Sequence, residues 1–159
     1  MKGKVVLLFG LISCLAVLAG YSVITYFDTE TSEAKNTPET EGELREINGL
    51  EISLNEARVE SVEEDPEHQF VIVDLTFNNV KETVHEFSSY NITLVDEEGF
   101  AHSIDTSIET KGIIGGQLHP GRSTRGELAF VVPNGEQFEL VYTDHLRTGQ
   151  VIWEVSVEK

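Results

Sequence analysis

Beyond residue 47 the chain alternates apolar and polar positions, and the alternation predicts strands almost throughout. Leu50, Ile52 and Leu54 share one face, and Ala57 and Val59 resume that face after a slip of one residue. Such a slip is what a β-bulge produces, one extra residue inserted in one strand. Val71, Val73, Leu75 and Phe77 define the longest strand, with Asp74, Thr76 and Asn78 facing the other way. Tyr90, Ile92 and Leu94 continue the pattern, followed by Leu128, Phe130 and Val132. Phe138, Leu140 and Tyr142 come next, and Trp153, Val155 and Val157 close the series. Period-two alternation rich in β-branched and aromatic residues marks strands with one buried face.

The punctuation between these runs agrees. Asp96, Glu97, Glu98 and Gly99 read as a turn, and Thr148-Gly149 as another. Pro120 and Gly121 suit the two central positions of a type II turn. Asn134-Gly135, lying between two alternating runs, carries the strong short-range signal of a hairpin. No segment after residue 28 holds a sustained 3.6-residue apolar stripe, so little helix is expected. Short strands separated by turn signals point to an all-β, two-sheet sandwich.

Gly116, Leu118, Pro120 and Gly121, then Gly126, Leu128, Phe130, Val132 and Pro133, then the run Phe138 to Tyr142, form a recognisable series. Upstream, Val71 to Asn79 and the Asp96–Gly99 turn fall in register with it. Over residues 48 to 158 the sequence resembles the telokin-like, immunoglobulin-like domain of secreted and lipid-anchored proteins from Gram-positive bacteria. The resemblance implies an immunoglobulin-like two-sheet β-sandwich. It also implies binding or adhesion by analogy of fold, in a family largely of unknown function.

The first 27 residues supply an address. Val5 to Phe27 contains no charged side chain and follows directly on Lys2 and Lys4. As a helix this run would span roughly 34 Å, enough for a hydrocarbon core of about 30 Å. The lysines keep the N-terminus in the cytoplasm and place everything after Phe27 outside it. Three fates are open to the segment. Its length and the outer Tyr21 and Tyr26 suit a retained anchor. Val17 and Ala19 suit signal-peptidase cleavage, which would release the protein. Leu11, Ile12 and Ser13 before Cys14 suit lipid attachment at Cys14, although Leu15 to Leu18 continue the apolar run where a lipoprotein turns polar. All three fates give the extracytoplasmic face of the cell membrane, or secretion.

Residues 28–46 read as an acidic disordered linker, poor in aliphatic side chains between Asp28 and Glu43. Such a segment buries too little apolar surface to offset its ordering entropy. Residues 47–159 form the remaining domain, of ordinary size for one. Cys14 is the only cysteine, so that domain folds without an internal disulfide.

The full chain carries 28 acidic against 11 basic residues, a formal charge of −17. Nucleic acid is excluded as a partner, because phosphate binding needs clustered lysine and arginine. The membrane, through the N-terminal segment, and a protein or cationic ligand outside the cell are the partners expected.

Candidate chemistry is thin. Ser123 sits outside any Gly-x-Ser-x-Gly context. The Gly112–Gly116 stretch lacks the lysine and the helix of a phosphate loop, and reads as a flexible loop. Asp144 beside His145 reads as exposed loop polarity, because neighbours on a strand face opposite ways. The acidic turns lack the ligand alternation of a calcium loop. No catalytic, cofactor or metal residue is assigned. Arg122 and Arg125, flanking the Pro120-Gly121 turn, are the candidate recognition loop.

The expected function is that of a membrane-tethered or secreted immunoglobulin-like module that binds a protein or ligand at the cell envelope without catalysis. Two alternatives stand beside it: a structural or accessory envelope domain that self-associates, and an enzyme using carboxylates gathered from distant strands.

Overall fold

The computed structural model describes residues 43–158. The apolar run with Cys14 and most of the linker lie outside them, as does Lys159. Among the described residues no helix is long and apolar enough to cross a membrane. The strands are β1 (Glu43–Ile47), β2 (Leu50–Ser61), β3 (His68–Asn79), β4 (His85–Ser88), β5 (Ile92–Val95) and β6 (Ala101–His102). They continue with β7 (Ile104–Asp105), β8 (Gly115–Leu118), β9 (Ser123–Pro133), β10 (Gln137–Thr143) and β11 (Gln150–Ser156). A five-stranded sheet has the order β1-β2-β3-β9-β7, a four-stranded sheet β11-β10-β5-β6, and β4 pairs with β8 in a short third sheet. The fold is the all-β, immunoglobulin-like sandwich expected.

The alternation decides which faces meet. Val71, Val73, Leu75 and Phe77 of β3 are buried, and so are Leu128, Phe130 and Val132 of β9. Opposite them, Leu140, Tyr142, Trp153 and Val155 belong to the same core. Phe87 of β4 stacks on Phe77 with ring centroids 4.7 Å apart, so the short third sheet plugs the side of the sandwich. The one-residue slip in β2 is a bulge: Leu54 pairs with Leu75 and Glu56 with Asp74, leaving Asn55 as the extra residue.

Four expectations are corrected. Tyr90 is no strand residue; it lies in a single 3-10 turn, Ser89–Asn91, with its ring exposed. Asn134-Gly135 is no hairpin. β9 and β10 belong to different sheets, and the segment turns the corner between them, with Asn134 bonded to the Glu67 and Pro66 carbonyls. Neither Asn134 nor Gly135 adopts the positive φ that a type I′ turn demands. The hairpin signature is met instead at Asn48 (φ 51°) and Gly49 (φ 74°), which join β1 to β2. A side chain at Gly49 would also strike the aliphatic stem of Lys81.

The last two corrections concern boundaries. β1 begins at Glu43, four residues inside the span assigned to the linker, because Leu44 to Ile47 pair along β2 from Ser53 to Leu50. Nor is Gly112–Gly116 simply a loop. Gly115 and Gly116 open β8, and Gly112 bridges to Gly126, where a Cβ would lie 2.5 Å from the Arg125 carbonyl oxygen. Only glycine permits that backbone contact.

Trp153 ties the two edges together. It is 1 % exposed, pairs with Leu140, and its Nε1 donates to the Glu43 carbonyl at 2.6 Å. The edge strand of one sheet is thereby bonded to the edge strand of the other. Trp153→Ala should cost roughly 3–5 kcal/mol, the range for truncating a buried aromatic. Trp153→Phe, which keeps most of the packing but loses the donor, should cost about 1–3 kcal/mol. Urea unfolding of both variants checks the pair, and a Trp153→Phe variant as stable as the wild type would show that the hydrogen bond contributes nothing.

Candidate functional site

The register of the five-stranded sheet assembles an unusual row on its outer face. Glu56 pairs with Asp74, and Asp74 with Glu127, so three carboxylates stand side by side across β2, β3 and β9. Like charges directly opposite one another destabilise a sheet. The adjacent rows supply the cations that offset this. Arg125, opposite Thr76, donates to Asp74 from Nε at 2.9 Å and from Nη2 at 2.6 Å. Arg58, opposite Ile72 on the other side, donates to the two Glu127 oxygens at 2.9 and 3.3 Å. Both pairs are forked, the geometry in which guanidinium and carboxylate match best. Asn55, extruded by the bulge, donates to Asp74 and to the Thr76 hydroxyl, and the Lys111 backbone N–H donates to Glu127.

These bonds set the protonation states. Hydrogen bonding by Arg125 holds the Asp74 carboxyl below its ordinary range, and hydrogen bonding by Arg58 does the same for Glu127. A groove of about 530 Å³ lies over the row, walled by Glu56, Lys111 and the two ion pairs. Two of its three carboxylates, Asp74 and Glu127, are already neutralised, so its chemistry is that of a largely compensated charge ladder fixing three strands in register.

The structure separates the two arginines of the candidate recognition loop. Arg125 is a strand residue held by Asp74, and Arg122 belongs to the turn before β9. That turn has the expected form, with the Arg122 N–H bonded to the His119 carbonyl and Gly121 at φ 65°. Arg122 lines a different, smaller groove with Phe87 and Gln117. The alternation that places Thr76 and Asn78 outward would have placed Arg125 beside Asp74, had the β3–β9 pairing been recognised.

Asp144 is also corrected. It is 2 % exposed, and its oxygens accept the N–H groups of Leu146 and Arg147 and the Asn48 side-chain amide. Burial pushes its carboxyl up, and these bonds outweigh burial, so it stays ionised. His145 beside it is exposed, and the buried His85 has its Nε2 3.4 Å from Arg147. Burial and then the Arg147 charge lower the pKa of His85, which keeps the imidazole neutral at pH 7. Elsewhere His102 Nε2 lies 2.8 Å from Asp96, and His68 Nδ1 lies 2.8 Å from Asp65. Both pairs span tight turns. The Asp96–Gly99 turn was legible in the sequence, and folding it back brings residue 102 towards Asp96. Among the described residues no group of three or more histidine, cysteine or carboxylate side chains is placed to hold a metal ion.

Fold and surface define the class: an all-β sandwich whose outer charges are tied in structural pairs. Residues 40–152 match the family described as Domain of unknown function (DUF4352), and the chain belongs to that family. It is similar to the uncharacterized lipoprotein YjhA of Bacillus subtilis (strain 168), with 30 % identity over 109 residues, 66 % of this chain and 48 % of that protein. The chain therefore spans about half the length of this curated relative. The crystal structure of the yjhA protein from Bacillus subtilis superposes with a TM-score of 0.55 at 21 % identity, covering 74 % of this chain and 97 % of that one. That of the Bacillus subtilis ycdA protein gives a TM-score of 0.57 at 17 % identity, covering 71 % and 38 %. The resemblance read from the turn and strand motifs holds.

The charge ladder generates a test with a definite sign. Asp74 has a lowered pKa in the fold, so its pair with Arg125 stabilises the protein above the unfolded-state value and loses that effect as pH falls through the folded-state value. Thermal midpoints of wild type and Asp74→Asn should differ most at neutral pH. The gap should narrow as pH falls below about 5 and close only beneath the ordinary aspartate range, because the folded-state carboxyl takes up its proton at lower pH. A gap independent of pH would show that Asp74 acts by shape alone.

Proposed function

We propose that the chain is an extracytoplasmic recognition module, tethered to the membrane or released from it, that binds without performing a reaction. The observation that carries this reading is the pairing of a lipoprotein-family sandwich with an apolar N-terminal run behind Lys2 and Lys4. The YjhA relative is a lipoprotein by name, and lipid attachment puts a protein on the outer side of the membrane it crosses. The residues of this chain support the same location: the lysines sit on the inner side and the acidic segment on the outer.

The polar groups support binding over chemistry. Asp74 and Glu127 are committed to arginines, and Asp144 to backbone N–H groups and Asn48. A catalytic carboxylate is held ready for substrate by contrast, with its pKa moved towards the working pH. Here the shifts run the other way, downward and away from neutrality. Recognition then falls to the loop ends of a rigid sandwich, where binding residues concentrate.

Protease treatment of intact cells tests the location. Cleavage within the segment after residue 27, with a cytoplasmic marker left whole, is the expected result. Full protection with a sealed membrane would overturn it. Mass spectrometry of the mature N-terminus then separates the three fates: an intact Met1 peptide means an anchor, a new terminus after Ala19 means cleavage, and a lipidated Cys14 means a lipoprotein.

A further inference from the structure

The connections between strands gather negative charge at one end of the sandwich. At one end lie the β2–β3 connection, the turn after β5, and the corner from β9 to β10, brought together by the bonds of Asn134 to Glu67 and Pro66 and by the pairing of Val95 with Glu139. The first carries Glu63, Glu64, Asp65 and Glu67; the second carries Asp96, Glu97 and Glu98. From residues 60–69, 95–102 and 133–139, lysine and arginine are absent altogether. The other end, with the turns after β3, β8 and β10, is near neutral, with Lys81, Arg122 and Arg147 set against Glu82 and Asp144.

The acidic end is also the concave one. A groove of about 560 Å³ runs under the β2–β3 connection between Val59, Pro66 and Asn134. Asn134 is shared with a second groove of about 340 Å³, floored by Pro133 and Phe138 and flanked by Glu97, Glu98 and Phe100. Phe138 and Glu97 are shared in turn with a third of about 390 Å³, which reaches Glu139 and Glu154. The grooves adjoin through these residues and form one trough across the end of the sandwich.

Two observations mark the trough as more than a solvated acidic surface. Phe100 stands 63 % exposed beside the carboxylates, an arrangement that suits the aliphatic stem and charged head of a lysine or arginine. In its wall Gln69 is 3 % exposed, its Nε2 donating to the Gly135 carbonyl at 2.7 Å. That bond fixes the amide, and the buried Oε1 is left as an acceptor with no partner. A buried polar atom without a partner is rare and costs free energy.

We propose that this trough is a docking site for an extended, lysine- or arginine-bearing segment of a protein partner. The proposal rests on the reading of the chain as a non-catalytic recognition module. The carboxylates attract the segment, Phe100 and Phe138 receive its apolar stems, and the trough gives it a continuous track. The alternative occupant, the arginine-bearing end of a second copy, is an outcome of the test.

The test uses the full chain in zwitterionic nanodiscs and a short dye-labelled peptide alternating lysine with leucine, followed by fluorescence anisotropy. Saturable binding that weakens with added salt is expected, and the matching glutamate–leucine peptide should not bind. Neutralising the trough with Glu63→Gln, Glu97→Gln and Glu98→Gln together should weaken binding about tenfold. The same charge change at exposed remote sites (Glu46→Gln, Glu82→Gln, Glu109→Gln) should change it less than about twofold, since local charges dominate over distant ones in salt. Phe100→Ala should weaken binding with the thermal midpoint unchanged, because the ring is exposed. Equal losses in the two charge variants would reduce the attraction to net charge and overturn the site. An unaffected Phe100→Ala would overturn it too, as would no binding at all. Self-association of the peptide-free chain, abolished by the trough substitutions, would assign the trough to a second copy and overturn the partner proposed. None of these outcomes bears on the protease result, so location and ligand class fail separately.

Discussion

Everything in this domain depends on two apolar sheet faces being pressed together without a covalent cross-link. Cys14, the only cysteine, precedes the domain, so burial must supply the stability that many small extracellular domains draw from disulfides. The largest fully buried side chains, Trp153, Tyr142, Phe77 and Phe130, come from both sheets and meet in the core. Trp153 adds to burial a bond to the Glu43 carbonyl that closes one side, where edge strands would otherwise be free to part.

A core this strictly alternating turns the polar residues in the middle of the long strands outward, and that has a consequence for charge. An acidic chain cannot avoid placing carboxylates opposite one another on an outer face, and Glu56, Asp74 and Glu127 are the result. The arginines of the flanking rows answer them. Arg58 and Arg125 would be expected to mark a ligand site if judged by charge alone. Their forked geometry onto Glu127 and Asp74 shows what they do at home, which is to let a crowded anionic row fold.

For the long strands, identity and face were legible in the sequence because both follow from local alternation. Val71 to Phe77 and Leu128 to Val132 needed no knowledge of partners, and the bulge at Asn55 followed from the broken period alone. What alternation cannot convey is which strands join which sheet. The two Asn-Gly pairs make the point. Asn134-Gly135 sits between convincing strands, yet those strands part into different sheets, and the backbone there stays at negative φ. Asn48-Gly49 forms the true hairpin, but its first strand, Glu43 to Ile47, lies in an acidic segment whose composition mimics a linker. The same gap hid the partner of Arg125 and the burial of Asp144, both of which depend on residues dozens of positions away. The trough lay in plain sight as acidic turns; only their convergence on one end was missing.

That convergence follows from antiparallel topology. Each strand that reverses direction delivers its next connection to the opposite end, so a chain that alternates acidic with near-neutral connections builds a polarised sandwich. The β1–β2 turn is uncharged, the β2–β3 connection acidic, the β3–β4 connection balances Lys81 with Glu82, the turn after β5 is acidic, the turn before β9 carries Arg122, and the turn before β11 balances Arg147 with Asp144. β1 begins opposite Leu54, midway along β2. With the outer sheet face occupied by its own ion pairs, the acidic end is where unneutralised charge, concavity and an exposed aromatic ring coincide. Loop ends on a sandwich diverge freely in length and composition while the core beneath them keeps its pattern. Members sharing this core can therefore differ at their loop ends, and in this chain the acidic end is the part that its composition sets apart.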